Sequence, residues 1–258
     1  MKEFDIKILV ATHKKYQMPV DDIYLPIHVG REGKCDLGYQ GDNTGEHISH
    51  KNPYYCELTG LYWAWKNFKT DYLGLCHYRR YFSSRNSFQI KSRKNLKGIL
   101  GKHEIEEILK DFDIIVPKRR NYLIETVWSH YQNAHNIKDL EETKLIIKEK
   151  YPEYLLSFNS VMSNKKLHLF NMFIMKKVDF DSYCEWLFDI LFELENRIDL
   201  CSYDSYQKRV FGFLSERLFN VWIHHNRIKT KELPVINIEK INWGKKIFNF
   251  LKRKVNGV

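Results

Sequence analysis

Asp71-Tyr72-Leu73-Gly74-Leu75-Cys76-His77-Tyr78-Arg79-Arg80-Tyr81-Phe82 is the stretch on which the fold turns. Up to Cys76 it is short and apolar, and it reads as a buried strand. It runs straight into a histidine and two adjacent arginines. In open α/β sheets, ligands collect beyond the carboxyl ends of the strands. His77, Arg79 and Arg80 are therefore placed to neutralise a diphosphate through forked, charge-assisted hydrogen bonds. Surface ion pairing is the plain alternative.

Upstream, Ile6 to Ala11 is a second apolar run, rich in β-branched residues, that ends at Thr12-His13-Lys14-Lys15. It predicts a buried first strand and a polar loop. Ile23 to Gly30 is an extended segment interrupted by Pro26, followed by a glycine-rich loop ending in Gly41-Asp42-Asn43-Thr44-Gly45-Glu46. From Tyr54 to Phe68, after Pro53, aromatic and apolar residues recur at helical spacing. Downstream, His103 to Lys110 reads as a helix and Phe112 to Pro117 as a strand. Helical periodicity spans Thr126 to Lys150, interrupted near Asn136, and returns from Ser182 to Arg197, where Ser182 and Glu185 fit a capping box. Leu167 to Met175 is a further strand candidate, and Phe211 to His224 a further helix. Residues 83 to 102 carry Arg85, Lys91, Arg93, Lys94, Lys97 and Lys102 without one acid, as a basic loop. Strands alternating with helices predict an α/β sheet.

The chain has 258 residues, 43% hydrophobic and 29% charged, which suits a globular fold with an ample core. A formal charge of +10 favours anionic partners: nucleic acid, a phosphorylated small molecule or an acidic membrane surface. The five cysteines are scattered without Cys-x-x-Cys spacing, which argues against a zinc cluster and a disulfide framework. Charges break the apolar run at the start, so no signal peptide is expected, and no stretch approaches membrane-spanning length. A reduced, cytosolic setting is the expectation.

The glycine-rich loop lets backbone approach a ligand closely, with Asp42 or Asn43 on a ribose or base edge, or it is a plain turn. It is neither a Walker motif nor a dinucleotide fingerprint. Two Asp-x-Asp tripeptides exist, Asp111-Phe112-Asp113 and Asp179-Phe180-Asp181. The first precedes its strand and the second sits at a helix start, so both read as structural rather than as a grip on a divalent ion. His130, Tyr131, His135 and Asp139 share one face if their helix is continuous, as the wall of a sugar pocket or as a solvated face. Glu216 lies in the apolar helix Gly212 to Phe219, either paired with an arginine or held with a raised pKa for proton transfer. Arg217, next in sequence, is expected to point elsewhere.

Together, Ala11 to Lys14, Gly41 to Glu46, Leu58-Thr59-Gly60-Leu61-Tyr62-Trp63-Ala64-Trp65-Lys66-Asn67, Gly74 to Phe82, His130-Tyr131…His135 and Phe213 to Phe219 resemble a bacterial glycosyltransferase family. That family, long catalogued as a domain of unknown function, belongs to capsule, O-antigen and exopolysaccharide gene clusters. Some members are similar to galactofuranosyltransferases using a UDP-linked donor. The resemblance covers most of the chain to about residue 225. It implies a single-domain, nucleotide-sugar-binding fold of the GT-A type, a mixed central sheet flanked by helices. It also implies hexose transfer, galactofuranose being the best guess, from a UDP-sugar to a lipid-linked saccharide acceptor. Thr12, His13, Asp42, Asn43, His77, Arg79 and Arg80 are the implied donor site. His77, Arg79 and Arg80 stand where the fold commonly carries its Asp-x-Asp, so cations are expected to replace a metal and no cofactor is required. His130, Tyr131 and His135 are assigned to the acceptor. The base is expected to be Glu216, with Asp204 and Asp42 behind it. The aromatic helix around Trp63 and Trp65 is expected to back the pocket.

Residues 1–235 are read as the transferase domain and 236–258 as a basic amphipathic tail. Ile241, Phe248, Leu251 and Val255 fall on one side of that tail, with Lys245, Lys246, Lys252 and Arg253 largely on the other. This pattern suits a helix lying at an anionic membrane surface, and hence a peripheral location on the inner face of the cell membrane. The alternative is a non-catalytic nucleic-acid- or phosphate-binding α/β protein. No known nucleic-acid motif appears, so no nucleic-acid partner is expected.

Overall fold

In the computed structural model, which describes residues 4–83, 96 and 98–239, the first apolar run is β1 (Ile6–Thr12). It lies inside the main sheet, parallel to β2 (Tyr24–His28) on one side and to β4 (Tyr72–His77) on the other. Ile8 and Val10 enter one apolar layer, Leu9 and Ala11 the other. Both faces are thus covered, which is why the run lacks polar alternation. β3 (Gln40–Gly41) continues the parallel half beside β2.

Beyond β4 the direction changes. β9 (Phe173–Lys176) runs antiparallel to both β4 and β6 (Ile114–Pro117), and β10 (Thr230–Leu233) joins β6 in parallel. The order is β10-β6-β9-β4-β1-β2-β3. β5 (Arg80–Phe82) folds back on β4 and pairs with β11 (Val235–Asn237). One layer of the core holds α2 (Leu58–Asn67), α6 (Leu155–Ser163), α7 (Lys177–Arg197) and α8 (Val210–His225), through residues such as Leu61, Phe158, Leu187 and Leu218. The other holds α3 (Lys102–Ile108) through Ile105. The expected mixed α/β sheet flanked by helices is what forms.

Several boundaries differ from expectation. The aromatic helix is two: α1 (Asn52–Tyr55) and α2, broken where Cys56 adopts φ 52°. The Asn52 side chain donates to the Cys56 carbonyl (2.7 Å) and holds the break, a contact that apolar spacing does not encode. The run Leu167 to Met175 is not one strand. It splits into β8 (Lys166–Leu167) and β9 around Phe170 and Asn171, at φ 78° and 50°. Ser182 caps nothing, because α7 begins five residues earlier at Lys177. α4 (Val127–Ala134) starts at a Thr126–Ser129 capping box, and Asn136 caps α5 (Ile137–Lys150). The four residues predicted to share a face therefore straddle two helices. The domain also extends past residue 235: β11 lies in the main sheet, and Glu239 still pairs with Arg79 (3.1 Å). The basic loop largely, and the tail from residue 240 on, lie outside the described residues.

Candidate functional site

A cleft of about 960 Å³ opens beyond the carboxyl ends of β1 and β4. These strands mark the switch point of the parallel half, since the sheet continues from β1 to β2 on one side and to β4 on the other. Ala11 and His13 enter the lining at the carboxyl end of β1, and His77 to Arg80 at that of β4.

The lining is strongly cationic. Lys34, Arg79, Arg80, Arg120, Lys208, Arg209 and Arg217 face two carboxylates, Glu57 and Glu216. Arg80 packs over the Phe170 ring (4.5 Å), and its buried Nε has no hydrogen-bond partner among the described residues. Burial and Arg79 press its pKa downward. Arg79 is held by Glu239, which also pairs with Lys14 (3.5 Å). Arg209 donates from Nε to Cys56 Sγ (3.3 Å).

The Phe170–Asn171 turn organises the floor. Its two consecutive left-handed, non-glycine residues are strained, a conformation that persists only where surroundings over-determine it. The surroundings are visible. Phe170 N donates to Glu216 Oε1 (2.7 Å), while the Phe170 carbonyl accepts from His77 Nε2 (2.6 Å). Asn171 Nδ2 donates to Glu57 Oε1 (2.8 Å), and Ser215 Oγ donates to Asn171 Oδ1 (3.0 Å). One turn thus positions both carboxylates and the histidine.

Burial raises the Glu216 pKa, and the Glu57 charge raises it further, against Arg217, the Phe170 N–H and Arg80. Arg217 does pair with Glu216, through Nη1 to Oε2 at 3.1 Å, correcting the expectation that it points away. The buried guanidinium also donates to the Phe213 carbonyl (2.8 Å), and this bond to the preceding turn bends it back toward its neighbour. Burial lowers the His77 pKa. With Nε2–H spent on a carbonyl, His77 is a neutral positioning group rather than one of the cations.

Of the predicted residues, His13, His77, Arg79, Arg80, His130, His135 and Glu216 converge on the cleft. His130 stacks on Tyr122 (3.9 Å between centroids) and His135 on Phe213 (4.0 Å), together making an aromatic wall. Other expectations are corrected. Asp42 is fully buried and accepts from Gly30 N, Arg31 N, Ser49 Oγ and Thr59 Oγ1, so it holds the loop and not a ligand. Thr12 is buried, its hydroxyl turned to the Lys14 backbone, and Asn43 is likewise outside the lining. Tyr131 is buried beneath Arg217. Asp204 is exposed and accepts from the backbone of Tyr206 and Gln207, capping a turn. Trp63 donates to Thr44 and Trp65 stacks on Phe188, which makes both packing residues away from the cleft. Glu57, Arg209, Lys208 and Tyr122 were missed. A lone acid within the aromatic helix was the available signal for Glu57.

Neither Asp-x-Asp supplies a carboxylate to the cleft. Asp113 accepts from Lys229 N and Asp181 pairs with Lys177, and neither lines the cleft. Glu57 and Glu216 are engaged by an amide, a backbone N–H and an arginine. Among the described residues, His, Cys, Asp and Glu ligand atoms gather in a group of three or more only at Glu32, His47 and His50, outside the lining.

Residues 7–227 match the family model described as Domain of unknown function (DUF4422). The chain belongs to that family. No curated protein matches. Among solved structures, the chain is similar to the apo structure of the WbbM bifunctional glycosyltransferase, with 33% identity and a TM-score of 0.85. The alignment covers 92% of this chain and 46% of that one, so this chain spans about half of WbbM's length. Among the described residues, no helix is long and apolar enough to cross a membrane.

Proposed function

We propose that this chain is a glycosyltransferase that moves a hexose, galactofuranose as the leading candidate, from a UDP-sugar to a saccharide acceptor in surface-polysaccharide assembly. The observation that carries this reading is the cleft at the sheet's switch point, where seven cationic side chains surround two half-buried carboxylates. The likeness to half of a bifunctional glycosyltransferase supports it. Clustering of the cations in a cleft, rather than along an open face, favours a small diphosphate over a nucleic-acid backbone.

The transfer is read as a single inverting displacement. Glu216 takes the proton of the acceptor hydroxyl as that oxygen attacks the anomeric carbon, and the bond to the UDP oxygen breaks. Burial and the charge of Glu57 hold Glu216 basic enough for this. Arg80, Arg79 and Arg209 offset the charge developing on the departing diphosphate, without a metal. His130 and Tyr122 offer a flat wall for the acceptor sugar. The tail is assigned to the membrane surface that carries a lipid-linked acceptor.

The test is a panel of nucleotide sugars assayed for donor-specific UDP release, with and without EDTA. Glu216→Gln is expected to cut turnover by orders of magnitude with UDP binding retained. No release with any UDP-hexose, or release abolished by EDTA and restored by manganese, would overturn the donor or the metal-free part respectively.

A further inference from the structure

We infer that the loop Tyr122 to Glu125 is a membrane-docking spike, which seats the cleft on an anionic bilayer. Its tip carries Leu123 and Ile124, 71% and 70% exposed. The tip is a built feature rather than a loose end. Asn121 Oδ1 accepts from Leu123 N (2.9 Å), and Tyr122 N donates to the Lys165 carbonyl (2.8 Å). Leu123 is held at φ 62°, a conformation that a leucine seldom adopts, and two adjacent aliphatic side chains are thereby presented to solvent.

The base of the spike is a two-stranded ribbon, β7 (Arg120–Asn121) against β8. Around it Lys118, Arg120, Lys165 and Lys166 are exposed, with no ion pair among the described residues. The acid in this segment, Glu125, accepts from Asn133 Nδ2 (2.9 Å). Apolar side chains that enter the acyl boundary, ringed by cations at headgroup depth, are the complement of an anionic lipid surface. A protein partner without matching acids would strip water from these four cations and return no opposite charge.

Position gives the spike its use. Arg120 and Tyr122, on either side of Asn121, line the cleft. A protein resting on Leu123 and Ile124 therefore brings the cleft mouth to the headgroup layer, where a saccharide on a lipid carrier is displayed. That use rests on the proposed transferase reading, whereas the docking itself does not.

The full-length chain is tested by co-sedimentation with vesicles of phosphatidylcholine, with and without phosphatidylglycerol, beside the variant Leu123→Ser/Ile124→Ser. Losing two aliphatic anchors is expected to weaken partition to anionic vesicles on the order of ten-fold or more. Lys165→Glu/Lys166→Glu is expected to weaken it only when phosphatidylglycerol is present. With vesicles present, the indole introduced by Ile124→Trp is expected to shift to blue emission and to be quenched by brominated lipid. Equal binding by the serine variant and the parent would overturn the spike, leaving the tail as anchor. So would an Ile124→Trp variant whose added emission escapes quenching, or concentration-dependent dimers that the serine variant abolishes. UDP release measured without vesicles is expected to be unchanged in the serine variant, so a failed donor assay and a failed docking assay separate the two readings.

Discussion

Replacing Asp42 by asparagine should unfold the protein more readily without touching its ligand chemistry. The carboxylate is fully buried, and each oxygen accepts one backbone N–H and one hydroxyl. Oδ2 takes Gly30 N (2.7 Å) and Thr59 Oγ1 (2.5 Å), and Oδ1 takes Arg31 N (3.0 Å) and Ser49 Oγ (2.5 Å). An amide has only one acceptor oxygen. Whichever way it is turned, its NH2 faces either Gly30 N–H or Arg31 N–H, and a backbone donor cannot rotate away as a hydroxyl can. Leaving one buried donor unsatisfied costs about 1–3 kcal/mol, and losing charge assistance on the other bonds adds about 1 kcal/mol more. The expected loss is about 2–4 kcal/mol, against a total stability of about 5–15 kcal/mol. For a chain this size that lowers Tm by roughly 4–15 °C. Asp42→Ala should lose more, because both backbone donors are orphaned. Gly30 itself sits at φ 63° with the Asn52 side chain packed where a Cβ would lie, at 2.3 Å, so no other residue type can take its place in this loop. Urea unfolding, paired with UDP calorimetry on folded variant, decides the matter. An unchanged midpoint with lost UDP binding would refute the reasoning and return Asp42 to the donor site.

Arg80→Ala should weaken UDP binding by about 10- to 100-fold, the loss of one charge-assisted contact, with Arg80→Lys between it and the parent; equal affinities in calorimetry would remove Arg80 from the site. Glu57→Gln keeps the acceptor for Asn171 but removes the charge that raises the Glu216 pKa, so the acidic limb of the pH–rate profile should move to lower pH. An unmoved limb would separate Glu57 from the base. Burial pushes the Asp139 carboxyl up to about 6. Unfolded, it titrates at about 3.9, so between the two values the folded state holds a proton that the unfolded state has released. This contribution is fully present below about pH 4 and is lost as pH rises to about 6, roughly 2–3 kcal/mol in all. Asp139→Asn should flatten that window and be the more stable protein at pH 7, as urea titrations across pH 4–7 would show; parallel curves for the two proteins would refute it.

Local patterning carried the parts of this fold that depend on covering apolar surface. β1 and β4 were legible because a strand buried on both faces reads as a continuous apolar run, as Ile8 to Ala11 and Leu73 to Cys76 do. α5 and α8 were legible from their period, and the interruption of that period near Asn136 falls at the break between α4 and α5. The strand-end arginines were legible because ligands gather beyond carboxyl ends, a rule of topology that needs only the strand. The misreadings share a different cause. Helical spacing passes through Cys56, and apolar content passes through Phe170 and Asn171, yet both sites are bent by side-chain contacts that periodicity does not register. Those bends aim Glu57 and Glu216 at one cleft.

The sequence alone therefore determined the class of sheet, its buried strands, the principal helices and the pair of cations at the end of β4. It did so because the periodicity of burial is a property of residues near one another in the chain. Only the tertiary structure decided which charges meet. Glu57 and Asn171 are 114 residues apart, and Arg209 reaches Cys56 across 153. The same packing removed Asp42 and Thr12 from the site, since a polar side chain in a loop gives no local sign of whether it faces a ligand or the backbone around it.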